Sequence, residues 1–317
     1  MPATMKVGVV GTGQVGSACA FALVMRGVAR EIVLVDRTAE KADGVATDMR
    51  YGAAISPETA IRAGDYAALA GSVMVMVTVG VNEKTGGATD RGDPKGRLRL
   101  LGKNAAIYAE IVPRIAAAAP DAIILVVSDP PDPLADIARR LAGEGQVLSA
   151  GTYLDSWRFR IHLASHLGVS PKSIEAEVLG EHGTSQVFVW SGARVSGVPV
   201  VDALKQRGID AKDFRARIEK EVRYANITII EGIGASQYGI GMLSARIFEM
   251  VARDERAVIP IGAFNKTYGV TLSLPSIVGH GGVLQILDPA LSDEERAALG
   301  KSAEAIKRAL AETAGNK

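Results

Sequence analysis

The hexapeptide Gly11-Thr12-Gly13-Gln14-Val15-Gly16 follows a short apolar run and opens an Ala-rich stretch, and a second apolar run ends in Asp36, twenty residues after Gly16. Together these features form a dinucleotide fingerprint. Gly11 permits a tight turn, Gly13 lets a pyrophosphate approach the backbone, and Gly16 lets helix and strand pack closely. Gln14 and Val15 then offer main-chain N–H groups from a helix N-terminus. Asp36 suits ribose hydroxyls and repels a 2′-phosphate, so NAD is expected rather than NADP, although Arg37 beside it works weakly against that choice. His182 stands in Gly180-Glu181-His182-Gly183, a setting that alone fits a turn as well as a proton shuttle. Asp155 and Arg158, at i and i+3, fit a surface helix pair as well as a pair of site residues. His162 and His166 lack the glutamate of an HExxH pattern and read as a helix face, so no metal is expected. His280, in a glycine-rich turn, reads as structural, and the single Cys19 as an apolar filler that cannot form an internal disulfide.

The elements that would position these groups can be read from periodicity. Short, continuously apolar, Val/Ile-rich runs at 6–10, 31–36, 73–79, 123–128 and 147–150 are expected as strands buried on both faces. Helical stretches at 14–26 and 105–119 alternate with them, which implies a parallel sheet with right-handed crossovers. The second half reads differently. A helix is expected at 157–167, strands at 175–180 and 186–192, and a long helix at 213–231 with Phe214, Ile218, Val222, Ala225 and Ile229 on one stripe. A hairpin follows at 258–277. A final helix carries a Ser292/Glu295 capping box and an apolar face of Leu299, Ala303, Ile306 and Leu310. The fold class is α/β: a Rossmann doubly wound parallel sheet, residues 1–150, that binds NAD, followed by an α+β substrate and catalytic domain, residues 151–317.

Composition narrows the function classes. The chain has 317 residues, with 36 Lys+Arg against 35 Asp+Glu and 48% apolar residues. Disorder is excluded by that hydrophobicity, and the balanced charge argues against a nucleic-acid partner. No apolar run is long enough to span a membrane. The first residues show no leader pattern, so a cytoplasmic protein is expected. Glycine, at 35 residues, is in excess and suggests many tight turns.

Several segments together resemble the lactate/malate dehydrogenase family: the fingerprint, Thr152-Tyr153-Leu154-Asp155-Ser156-Trp157-Arg158, Gly180-Glu181-His182-Gly183, Gly197-Val198-Pro199-Val200 and Leu272-Ser273-Leu274-Pro275. The resemblance covers nearly the whole chain. It implies NAD-dependent interconversion of small L-2-hydroxy acids and 2-oxo acids. His182 would carry the proton, Asp155 would orient its ring and stabilise the imidazolium, and Arg158 would hold the substrate carboxylate in a bidentate fork. Val79, Gly80 and Ser128 would complete the cofactor edge. A homodimer or homotetramer is implied as well. Related readings are malate dehydrogenation, an NAD-binding protein with little turnover, and an NAD-dependent glycosidase; the last is disfavoured because no cysteine follows Cys19.

The sequence departs from the family in its substrate loop. The segment 80–98 carries several extra residues, many of them glycine, which suggests a mobile lid. Arg97 is assigned as the arginine that polarises the substrate carbonyl, with Arg91 as the alternative. Glu83 takes the position that sets specificity, where a second substrate carboxylate would be repelled, so lactate-like acids are favoured over malate. Asp129 replaces an asparagine that donates to substrate, whereas an ionised carboxylate only accepts. Asp129→Asn should therefore raise activity on simple 2-oxo acids. Ser236 replaces a pocket threonine, and Thr184 follows Gly183 where the family has aspartate. Arg160 matches a sugar-bisphosphate ligand of bacterial relatives, but Glu177 stands where its histidine partner would be, so no such activation is expected.

Overall fold

The computed structural model describes residues 5–93, 95–143 and 146–315. The reading of residues 1–4 as carrying no leader, and Pro94 of the loop, lie outside the described residues.

The first half alternates as its apolar runs require. Strands β1 (Lys6–Val10), β2 (Glu31–Val35), β3 (Ala60–Ala63), β4 (Met74–Val77), β5 (Ile123–Val126) and β6 (Val147–Ser149) pair in parallel in the order 3-2-1-4-5-6. Helices α1 (Gln14–Arg26), α2 (Ala39–Ala53), α3 (Leu101–Ala118) and α4 (Pro131–Ala142) make the crossovers. Successive strand side chains point to opposite faces. Val7, Val9, Ile32 and Leu34 accordingly join one core, while Val10, Val33, Val35 and Val77 join another on the far side. This two-sided burial explains why these strands read as continuous apolar runs rather than alternating ones. The sequence reading missed α2, β3 and α4.

The second half begins with α5 (Tyr153–Leu167), then the short strands β7 (Ile174–Glu175), β8 (Val178–Leu179), β9 (Val187–Phe188), β10 (Arg194–Val195) and β11 (Val198–Pro199). Helices α6 (Val200–Gln206), α7 (Ala211–Arg223), α8 (Ala225–Ile233) and α9 (Tyr238–Ala252) follow, then β12 (Ala257–Asn265), β13 (Val270–Gly279), β14 (Gly282–Ile286) and α10 (Asp293–Gly315). The expected strands 175–180 and 186–192 are much shorter than anticipated, which leaves Gly180–Ser185 free to form a loop. That loop is fastened by a reciprocal backbone pair, Gly180 N–H to Ser273 O (2.9 Å) and Ser273 N–H to Gly180 O (3.0 Å).

The helix expected over 213–231 is two helices, broken at Tyr224 (φ −107°, ψ 11°). The apolar stripe changes register across the break. Phe214, Ile218 and Val222 are buried before it, but Asn226, Ile227 and Ile230 are buried after it, while Ala225 and Ile229 are only half-buried.

The hairpin forms as expected and does more than close the second half. β12 pairs antiparallel with β6 at Gly262 and Ser149, so β12, β13 and β14 extend the first sheet to nine strands. Glycine is required at that junction because a Cβ on Gly262 would lie 1.9 Å from Ser149 Oγ. The capping box also forms: Ser292 N–H donates to Glu295 (2.9 Å) and Glu295 N–H donates to Ser292 Oγ (3.2 Å). Leu299, Ala303 and Ile306 are buried beneath α10.

Candidate active site

The fingerprint folds into a cradle. Gly11 leaves β1 with φ +96°, and a Cβ on Gly16 would meet Gly11 O at 1.8 Å, so both positions demand glycine. Thr78 Oγ1 ties the turn to β4 by donating to Gly11 O (2.8 Å). At Gly13 a Cβ would meet nothing within 4 Å, because that residue faces open space. Gly13 is also the N-cap of α1 and supplies no side-chain cap, so the first-turn N–H groups at Gln14 and Val15 stay directed at the cleft that both residues line. An open, positively polarised helix end against backbone with no side chain in the way fits a pyrophosphate.

Asp36 does not line the cleft. It accepts hydrogen bonds from Thr12 N–H (2.7 Å), Thr12 Oγ1 (2.8 Å) and Thr38 N–H (3.2 Å), with Lys41 Nζ at 3.7 Å. Burial pushes its carboxyl up, but these bonds and Lys41 outweigh it and hold the group below the usual range. Arg37 is exposed and stands away from the cleft, whereas Lys41, which the sequence reading passed over, lines it. Val79 packs against Gly11 rather than lining the cleft, while Gly80 and Ser128 do line it. Ser128 Oγ donates to Val79 O (2.6 Å) and so ties the ends of β4 and β5 together.

The second group of residues meets at the far end of the same cleft. Asp155 lies on the first turn of α5 and Arg158 on the second, and Arg158 Nη1 is 3.0 Å from Asp155 Oδ1. The other oxygen of Asp155 is hydrogen-bonded to His182 Nδ1. Burial alone would raise the Asp155 carboxyl, but His182, Arg158 and Arg97 overcome it and hold the group near 2. His182 Nε2 is left facing the cleft, 3.9 Å from Asp129 Oδ1. Arg158 Nη2 is also 3.5 Å from Ser236 Oγ.

Asp132 was missed by sequence reading. It is fully buried, accepts the His182 main-chain N–H (2.6 Å) and takes a bond from Ser149 Oγ (2.5 Å). Burial is the main cause that pushes its carboxyl up to about 6. Nothing in the pattern Asp129-Pro130-Pro131-Asp132 reveals a partner that is a backbone group fifty residues away.

The loop between β4 and α3 supplies the rest. Arg97 is only 8% exposed, and its Nη1 donates to His182 O (3.4 Å). Its Nε lies 3.6 Å from Asp129 Oδ2 and 3.8 Å from Glu83 Oε1. Glu83 accepts from Asn226 Nδ2 (3.1 Å), a residue the helix break at Tyr224 turns toward the cleft. Burial and the neighbouring Asp129 raise the Glu83 carboxyl above its usual range, against Arg97 and Asn226. Arg91 stands outside the site and pairs with Glu231 on α8 (2.5 Å). Lys95 pairs with Glu312 on α10 (2.9 Å), so the loop is tied to both α8 and α10. Asn104 holds its base, accepting from Val81 N–H (2.8 Å) and donating to Asp129 O (2.7 Å). Glu83, Arg97, Asp129, Arg158, His182 and Ser236 all line one continuous cleft of about 1430 Å³ with the glycine cradle.

The remaining candidates have other partners. His162 pairs with Glu221 (3.1 Å), and His166 packs edge-on against Phe214. Cys19 is buried, and burial pushes its thiol up to about 12, which leaves it inert.

An imidazole braced by a buried carboxylate and opening onto a dinucleotide cradle places the protein in a class, the α/β dehydrogenases. The chain belongs to the lactate/malate dehydrogenase family. Residues 5–147 match the lactate/malate dehydrogenase NAD binding domain, and residues 152–316 match the lactate/malate dehydrogenase alpha/beta C-terminal domain. It is 47% identical over 300 residues to the L-lactate dehydrogenase of Deinococcus radiodurans, covering 94% of this chain and 96% of that protein. It is 44% identical over 310 residues to that of Allorhizobium ampelinum, covering 96% and 97%. Among solved structures, a lactate dehydrogenase from a Medee basin deep-sea metagenome superposes with a TM-score of 0.91 at 33% identity, covering 99% of this chain and all of that one. A minor L-lactate dehydrogenase from Enterococcus mundtii, solved in a ligands-bound form, gives 0.88 at 34%, covering 96% and 97%. The chain is thus an oxidoreductase of the lactate dehydrogenase-like, NAD-linked type.

Proposed function

We propose that the protein interconverts short L-2-hydroxy acids and 2-oxo acids with NAD as cofactor, and prefers monocarboxylates to malate and oxaloacetate. The observation that carries this reading is the His182 ring, held by Asp155 on one side and open to the cleft on the other, with two guanidinium groups beside it. The glycine turn and the α1 N-terminus hold the pyrophosphate, and Asp36 sets the edge of the adenosine site. When bound, the nicotinamide cofactor supplies or takes the hydride.

The chain's own residues handle the rest. Arg158 offers two N–H groups to the substrate carboxylate. Arg97 stabilises negative charge developing on the substrate oxygen. His182 Nε2 gives the proton to that oxygen during reduction and takes it during oxidation. Asp155 keeps the proton of the ring on Nδ1 and balances the imidazolium. Glu83 faces the substrate's far end, where a second carboxylate would be repelled, and Asp129 stands beside His182 Nε2 at the reacting oxygen.

We also infer two units, 1–150 and 151–317, a cytoplasmic location, and assembly as a homodimer or homotetramer. Among the described residues no helix is long and apolar enough to cross a membrane. Oligomerisation is supported by the apolar side chains Phe21 and Met25 of α1 and Met242 of α9, all more than half exposed along one face.

The test is initial-rate NADH and NADPH oxidation with pyruvate and with oxaloacetate. A higher kcat/KM for NADH over NADPH and for pyruvate over oxaloacetate is expected. A preference for oxaloacetate would contradict the substrate assignment.

A further inference from the structure

The loop that carries His182 also carries a buried acid that the reaction does not use. Glu181 is 2% exposed. Strand β8 ends at Leu179 and β9 starts at Val187, so residues 181–186 have no sheet ladder to fix their shape. The Glu181 carboxylate supplies an acceptor in its place. Its Oε2 takes the Ser185 N–H (3.3 Å) and the Ser185 hydroxyl, which closes a turn over residues 181–185. The carboxylate folds over Gly183, where a Cβ would lie 2.6 Å from Oε1. The turn is then fastened to α10. Glu181 N–H donates to Ser302 Oγ (2.8 Å), and that hydroxyl is 3.1 Å from Ser185 Oγ. Ser302 is fully buried, and Gly180 makes room for it, since a Cβ there would lie 2.6 Å from Ser302 Oγ.

The two groups that meet the substrate oxygen both take their positions from this turn. Asp155 holds the His182 ring at Nδ1 alone, and a ring held at one atom can pivot. The place of Nε2 is therefore set by the His182 main chain as well. That main chain lies within the turn, with its N–H on Asp132 Oδ2 (2.6 Å). Its carbonyl accepts from Arg97 Nη1 (3.4 Å), so the guanidinium is anchored to the same residue. A displacement of about 1 Å in such a framework can cost about 10²-fold in rate. Glu181, Ser185 and Ser302 do not line the cleft, so their effect reaches the reaction only through His182 and Arg97.

We propose that Glu181 is a positioning residue for the reaction, keeping His182 Nε2 and Arg97 in register at the substrate oxygen through the turn it closes with Ser185 and Ser302. This rests on the dehydrogenase reading above. Both Ser185 bonds go to one oxygen of Glu181, so a glutamine keeps them and removes only the charge.

The experiment is single-turnover NADH oxidation at saturating pyruvate by the full chain and its Glu181→Ala, Glu181→Gln and Ser302→Ala variants. The proton NMR signal of the His182–Asp155 hydrogen bond is recorded for each. Glu181→Ala should slow the single-turnover rate about 10²-fold, leave the Kd for NADH unchanged and shift or weaken the NMR signal. Glu181→Gln should recover most of the rate and keep the signal, and Ser302→Ala should fall between the two. A merely structural role would lower the amplitude, because fewer molecules are folded, and leave the rate unchanged. That result overturns the proposal, as does a Glu181→Gln variant no faster than Glu181→Ala. Should Glu181→Ala fail to fold, Ser185→Ala takes its place, with a slowed rate expected and a wild-type rate overturning the proposal. Absence of turnover by wild type on both pyruvate and oxaloacetate would instead sink the dehydrogenase reading. The NMR signal then decides the positioning role: a signal altered by the alanine variant and kept by Glu181→Gln supports it, and an identical signal in every protein overturns it.

Discussion

Asp132 and Asp155 are both buried acids beside His182, and their surroundings push them in opposite directions. Asp155 sits among His182 and two guanidinium groups and is held near 2, below its ordinary value of 3.8, so its contribution to stability is full above that ordinary value and is lost as the pH falls toward 2. Asp132 has two hydrogen bonds and His182 but no guanidinium against its burial, and its carboxyl rises from 3.8 to about 6. The folded state then binds more protons than the unfolded chain between those values, so stability falls as pH rises through that window, by about 3 kcal/mol in all. Asp132→Asn removes this cost while keeping an oxygen for the His182 N–H. Denaturant unfolding of both proteins should show the variant gaining about 3 kcal/mol on wild type between about pH 4 and about pH 7. Parallel curves would mean that Asp132 carries no such strain. Residues of this kind escape sequence reading because their partners are main-chain groups or distant side chains: Asp132 holds a backbone N–H, Asn104 holds the base of a loop, and Asn226 reaches Glu83 from another helix. Asp155, Arg158 and His182 were legible only through the motifs around them.

At the scale of elements, legibility followed how local the cause was. Five of the six strands of the first half and α1 depend on runs of adjacent residues, and the α10 cap depends on two residues three apart, so each of these was read with small errors at the ends. The break at Tyr224 was not legible, because the apolar spacing of Phe214, Ile218 and Val222 continues smoothly into Ala225 and Ile229 while burial moves to Ile227 and Ile230. The anchors of the loop at 80–98 were not legible, since Glu231 and Glu312 lie far along the chain. The exposed side of α1 and α9 also belongs to this scale. A Cβ on Gly241 would lie 2.7 Å from the Ala18 carbonyl carbon, so the two helices are pressed together and act as one face. That face displays Phe21 at 57%, Met25 at 58% and Met242 at 54% exposure. A closed two-fold contact between copies would cover it. Sedimentation velocity should find wild type as a dimer or larger, and Met242→Lys shifted toward monomer; a monomeric wild type would contradict the contact.

For the whole molecule, the joining of the two halves is the main thing hidden from sequence. β12, β13 and β14 come from the second half yet complete the first sheet, and β13 also fastens the loop that carries His182. The cofactor cradle, the acid–imidazole pair and the substrate loop are thereby set on one continuous framework. On this framework His182 moves the proton at the substrate oxygen. The most direct measurement is NADH oxidation with pyruvate and with the best 2-oxo acid by wild type and His182→Asn, each first shown by fluorescence titration to bind NADH. The expected result is unchanged NADH affinity with kcat lower by about 10²–10⁴ in the variant. Equal turnover by the two proteins would contradict it.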